Sequence, residues 1–307
     1  MMNKKILEYY LQFGQFTDPG LYREILRKNL PDDIKKIGIL VRKQLIHRST
    51  LKNGNTGSNQ DLRYGDMTKV PWYRQVEDDI FPTVSAMLTE LFRRDTRGFI
   101  DNRAAADKLI LTCRFTAILM VAILKAKGIP ARARCGFAPY FEVEGLEEGK
   151  SYDHWIIQYW NGQESRWMTA DPDACLEDYI NFDLFDMPEN TFDFSADAWL
   201  AVREGKVEGR HFKDAVGLEG LVTISWQLFH DFHALMNDEI LYQHGPKYLF
   251  NRIDKLTEEE LKEIDNLAEL MQKPDDNFDK LKEIWEINER VPSFGSKKFR
   301  ILTGGLI

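Results

Sequence analysis

Thr112-Cys113-Arg114-Phe115-Thr116-Ala117-Ile118-Leu119-Met120-Val121-Ala122-Ile123-Leu124-Lys125-Ala126-Lys127-Gly128-Ile129-Pro130 is the run on which the reading of this 307-residue chain turns. Thr112 is a good helix cap, and the body from Phe115 to Leu124 is apolar on nearly every side, which marks a helix buried all round rather than one with a solvated face. Gly128 supplies the stop and Pro130 forbids continuation. Cys113 is thereby predicted to be the first residue of a central helix. The partial positive charge there favours thiolate over thiol. The plain alternative is a buried cysteine acting as a small hydrophobe.

Downstream, Ala131 to Phe137, Tyr152 to Trp160 and Arg166 to Asp171 are short, aromatic-rich and extended, and predict an antiparallel sheet that follows the helix. Ser151 to Trp160 and Ser165 to Asp171 flank Asn161-Gly162-Gln163-Glu164, a connection of ordinary hairpin length. If Trp160 pairs with Ser165, then Gln158 faces Trp167, Ile156 faces Thr169, and His154 faces Asp171. Directly opposed residues have β-carbons about 4.5–5.5 Å apart, close enough for the carboxylate to orient the imidazole. A purely structural His-Asp pair is the alternative. A cysteine at a helix start together with such a pair supplies nucleophile, base and orienter.

Four motifs in order, Thr112-Cys113-Arg114, Gly128-Ile129-Pro130-Ala131-Arg132, Asp153-His154-Trp155 and Trp167-Met168-Thr169-Ala170-Asp171-Pro172, resemble the core of the transglutaminase-like superfamily, over about Leu109 to Asp173. The resemblance, to a stand-alone bacterial-type member, implies a papain-like helix packed on a sheet. It also implies nucleophile, base and orienter roles for Cys113, His154 and Asp171. Many members carry an acid two places after the cysteine, where this chain has Phe115. Many also use a tryptophan upstream near the oxyanion; Trp72 lies in that direction and is left unassigned. Nothing matches the calcium sites of the animal enzymes.

Outward from the centre, helices are expected at Leu21 to Lys28 after Asp18-Pro19, at Asp32 to Leu45, and at Glu77 to Arg94, where Pro82 is tolerable only near the first turn. The Asn-, Gly- and Ser-rich stretch from Ser49 to Asp66 reads as a long loop. Beyond Ser195, a helix cap, the chain is helical again, with Gly220 to Ile240 as a long helix and Thr257 with Glu260 as a capping box. The fold class is therefore α+β: a helical part over 1–100, a catalytic core over 101–190 and a helical extension over 191–307, expected to form one integrated domain. His230 and His233 lie one turn apart, but no third ligand is identifiable, so no metal is expected. Arg132 and Arg134 share a strand face that reads as solvated. Cys135 reads as core and Cys175 as structural.

The net charge of −8 would repel a phosphate backbone, so nucleic acid is not expected as a partner. No window reaches the roughly 18–20 apolar residues of a membrane helix. Glu8 and Gln12 interrupt the apolar stretch after the basic start, and three cysteines make a poor disulfide framework; both point to the cytoplasm. The expected activity is acyl transfer from an amide of a peptide, protein or small molecule through a thioester. It needs no cofactor, and hydrolysis is favoured over transfer to an amine. A non-catalytic scaffold that binds a peptide or protein partner is the alternative.

Overall fold

The computed structural model describes residues 3–48, 74, 77–141, 146–244 and 253–290. The loop expected over Ser49 to Asp66, and Trp72, lie outside them. The chain divides into two units, neither contiguous: unit 1 is Met1–Ala133 with Trp155–Pro188, and unit 2 is Arg134–His154 with Glu189–Ile307. The mixed α and β class is the one expected.

Unit 1 begins with α1 (Lys4–Leu11), α2 (Arg23–Asn29) and α3 (Ile34–Gln44), α3 capped by the Asp33 carboxylate. Asp18 accepts from the Gly20 amide and opens a 3-10 turn, Gly20–Tyr22, so the α-helix starts later than Leu21. The helix expected from Glu77 to Arg94 is two: α4 (Glu77–Ile80) and α5 (Val84–Arg94). Pro82 falls between them, where its missing N–H and ring would break an intact helix, and Thr83 caps the second. Two short strands interrupt the helical start. β1 (Leu45–His47) pairs in parallel with β2 (Leu109–Leu111), setting His47 beside Leu111.

α6 (Cys113–Ala126) starts at the expected cysteine, and every one of its residues is buried. Helices α2, α3 and α5 pack around it. Gly128 takes φ of +80°, open to glycine at little cost, and the Ile129 amide turns back to the Leu124 carbonyl, closing the helix.

β3 (Ala131–Ala138), β4 (Ser151–Asn161) and β5 (Arg166–Ala170) follow, and the main strand order is β5-β4-β3-β6. The β4–β5 hairpin is antiparallel as expected, but its register differs by two residues: Trp160 pairs with Trp167 and Gln158 with Thr169. The Asn161 side chain accepts from the amides of Gln163 and Glu164, so Asn161 ends the strand and starts the turn; Ser165 adopts φ of +53° within it. Continued by one residue, this register sets Asp171 level with Ile156, so the direct opposition of His154 and Asp171 expected from the turn is not formed, although a shift of two preserves which face each side chain takes. The Gln158 amide accordingly contacts the Thr169 hydroxyl, 3.4 Å away.

In unit 2, β6 (Asp193–Phe194) pairs with Gly136 and Phe137, and β7 (Phe212–Lys213) pairs in parallel with the start of β4. Helices α7 (Ser195–Arg203), α8 (Leu221–Leu235), α9 (Glu258–Gln272) and α10 (Phe278–Arg290) complete the unit. Trp199, Phe232, Leu235, Ile264 and Ala268 bury a common apolar core. The Thr257–Glu260 capping box is present. Ser195 is the first helical residue rather than the cap, and its hydroxyl donates to Asp231. No helix among the described residues is long and apolar enough to cross a membrane.

Neither Arg132 nor Arg134 is solvated. Arg132, in unit 1, donates to the Gln158 carbonyl oxygen and lies over the rings of Tyr10 and Trp167. Arg134, in unit 2, makes a bidentate pair with Asp231, both N···O distances 2.9 Å. Guanidinium groups enter cores when a fork-shaped acceptor or an aromatic face meets them.

Candidate active site

Cys113 occupies the first position of α6 and keeps 6% of its surface exposed, whereas Cys135 has none. An amide at such a position has no carbonyl one turn earlier to bond, so a helix start presents N–H donors and partial positive charge to any anion beside it. Asp171 is one residue past β5 and fully buried. Its Oδ1 accepts from the amides of Asp173 and Ala174, at 3.0 and 3.1 Å, and its own amide donates to the Leu184 carbonyl. The carboxylate is thus held rigid by its own turn.

That turn is tied to the first turn of α6. Thr116, three residues after Cys113, donates its hydroxyl to Asp173 at 2.7 Å. Arg42 donates Nε to the Asp173 carbonyl at 2.7 Å and lies 3.4 Å from its carboxylate. His47, at the end of β1, brings Nε2 to 3.6 Å from the same carboxylate and lies within electrostatic reach of the Cys113 sulfur. Burial would push the His47 imidazole down, but the Asp173 carboxylate and the Cys113 sulfur outweigh it and the opposing Arg42 charge, and its pKa is raised.

Neither His47 nor Asp173 is apparent as a site residue from the sequence. Leu45-Ile46-His47 prolongs the apolar pattern of the preceding helix, and a three-residue strand is too short to reveal itself by period. The hint available was Asp173 itself, a second acid in Asp171-Pro172-Asp173.

His154 belongs to unit 2, where it is buried and stands edge-on to Phe141 with ring centroids 4.8 Å apart. Its neighbour Asp153 anchors this part of β4, accepting from the Ala215 amide and the Gln227 side chain. Cys113 and Asp171 belong to unit 1.

The other residues noted in the sequence have structural partners. His230 meets the carbonyls of Trp226 and Leu241, and His233 the Asp238 carboxylate at 2.8 Å. Burial pushes the Cys175 thiol up to about 12, as does the neighbourhood of Asp171 and Asp173, while Arg42 pulls the other way.

Neither a family model nor a curated protein matches the chain. It is similar to the solved structure of a proposed cysteine protease from Cytophaga hutchinsonii, at 15% identity and a TM-score of 0.32. The match covers 64% of this chain and half the length of that protein.

Proposed function

We propose that this chain is a cysteine enzyme acting at amide bonds, with Cys113 as nucleophile, His154 as general base and then general acid, and Asp171 as the orienter of His154. The observation that carries the reading is Cys113 itself: a slightly exposed thiol at the start of a wholly buried helix, where the early amides favour a thiolate. In the reaction His154 first takes and holds the thiol proton, and the sulfur then attacks the amide carbonyl carbon. The C–N bond then breaks, His154 returns the proton to the amine, and a thioester remains. Early helix amides offer the developing oxyanion its donors. Water releases the acid and regenerates the thiol; a primary amine would form a new amide instead. Hydrolysis is the favoured outcome, and the transglutaminase-like resemblance of the four motifs supports the triad roles.

The three cysteines make the test internal. A helix start and an imidazole lower a thiol pKa from about 8.5 into a range of roughly 3.5–7.5. The Cys175 thiol is raised to about 12, and Cys135 is sealed in a strand. Iodoacetamide at pH 6 is expected to label Cys113 well before the other two, followed by peptide mass spectrometry over time. Equal labelling of all three would favour a non-catalytic scaffold.

A further inference from the structure

The site contains an imidazole that the proposed triad does not use. His47 reaches the nucleophile from the opposite direction in sequence: β1 lies beside β2 with His47 level with Leu111, two residues before Cys113. Its environment is built rather than incidental. Asp173, 3.6 Å from His47 Nε2, is fixed by the Thr116 hydroxyl and by Arg42, which also donates to the Leu45 carbonyl two residues before His47. The charged and titratable groups acting on His47 are Asp173 and Cys113 on one side of the balance and Arg42 on the other; the adjacent Arg48 is engaged with Asp78 at 2.9 Å.

We propose that His47, clamped against Asp173, is a standing cation beside the Cys113 sulfur, a positioning residue that holds the nucleophile as thiolate while a different imidazole moves the proton. This rests on Cys113 being the nucleophile. His47 keeps its own proton throughout: it takes none from the thiol and gives none to the leaving amine, so the proton count of the reaction is unchanged. The raised His47 pKa agrees with that role. Loss of a neighbouring cation raises the pH at which the sulfur ionises without removing a proton donor, and this separates the two roles experimentally. Loss of His154 removes the acid that the departing amine needs. Loss of His47 leaves that acid in place and changes only the pH at which the sulfur becomes reactive.

The test is the pH profile of iodoacetamide labelling at Cys113 in His47→Gln, an amide replacement without charge. Its inflection is expected at least one pH unit above wild type, which makes labelling about tenfold slower at pH 6, with the two rates converging at high pH. An unchanged profile overturns the inference. If wild-type Cys113 shows no preferential labelling at pH 6, the nucleophile reading fails instead. A second measurement needs no variant. In wild-type protein with 15N-labelled histidine, capping Cys113 with methyl methanethiosulfonate removes the thiolate. The titration of His47, one of six histidines, is expected to move to lower pH. An unmoved His47 titration overturns the role of His47, and movement of none of the six removes Cys113 from the centre of the site.

Discussion

Asp171→Asn is expected to lower amide turnover by roughly 10⁴ while leaving the fold intact. In the serine-protease template, the same change keeps the shape of the triad but favours the wrong imidazole tautomer, at a cost of about 10⁴ in rate. The local structure makes the substitution clean here. Asp171 Oδ1 accepts from the amides of Asp173 and Ala174, and an asparagine carbonyl oxygen can accept both. What disappears is the charge. The measurement is turnover of a p-nitroanilide amide alongside far-UV circular dichroism and thermal unfolding. Full activity in Asp171→Asn would remove Asp171 from the mechanism and leave a Cys-His dyad at most. A fall in activity together with loss of folding would assign Asp171 to the turn rather than to the chemistry.

Asp231→Ala is expected to destabilise the protein by about 3–5 kcal/mol, because it strands a buried guanidinium. The Asp231 carboxylate is fully buried and serves four donors: Nε and Nη2 of Arg134, the Cys135 amide at 2.8 Å and the Ser195 hydroxyl at 3.2 Å. Removing it leaves each of them without this acceptor, and the Phe194 face, 4.3 Å from the Arg134 guanidinium, does not replace a carboxylate. Urea unfolding reports the loss as a lower midpoint at similar slope. Replacing Arg134 and Asp231 together by apolar residues is expected to recover part of the loss, since the largest penalty is the unpaired charge. A loss below about 1 kcal/mol for Asp231→Ala would show that Arg134 finds water or another acceptor.

How far the sequence predicts this structure depends on how local the deciding interactions are. The limits of α6, the Gly128 stop, the three central strands and the Thr257–Glu260 capping box rest on residues within a few positions of one another, and each is where expected. The hairpin was expected in nearly the right place, but Asn161 opens the turn with its own side chain and moves the pairing by two. Chain-length separation accounts for the larger departures. β1 and β2 are three residues each and meet across 64 positions, so nothing in either run alone distinguishes strand from helix. Arg134 reads as a surface residue until Asp231, 97 positions away, is known to face it. The same separation hid His47, which comes near Cys113 because β1 lies beside β2.

The interleaving of the two units also bears on how the chain is made. Residues 134–154 belong to unit 2, yet the ribosome completes unit 1, which runs to Pro188, before it reaches the rest of their partners. Arg134 waits 97 codons for Asp231. At about 5–20 residues per second that is an interval of roughly 5–20 s, during which a cation destined for the core lacks the Asp231 carboxylate and the neighbouring strand is open to wrong pairings. Elongation speed between codons 134 and 231 therefore sets the exposure of this segment, and synonymous changes there can alter the yield of folded protein without altering a single side chain.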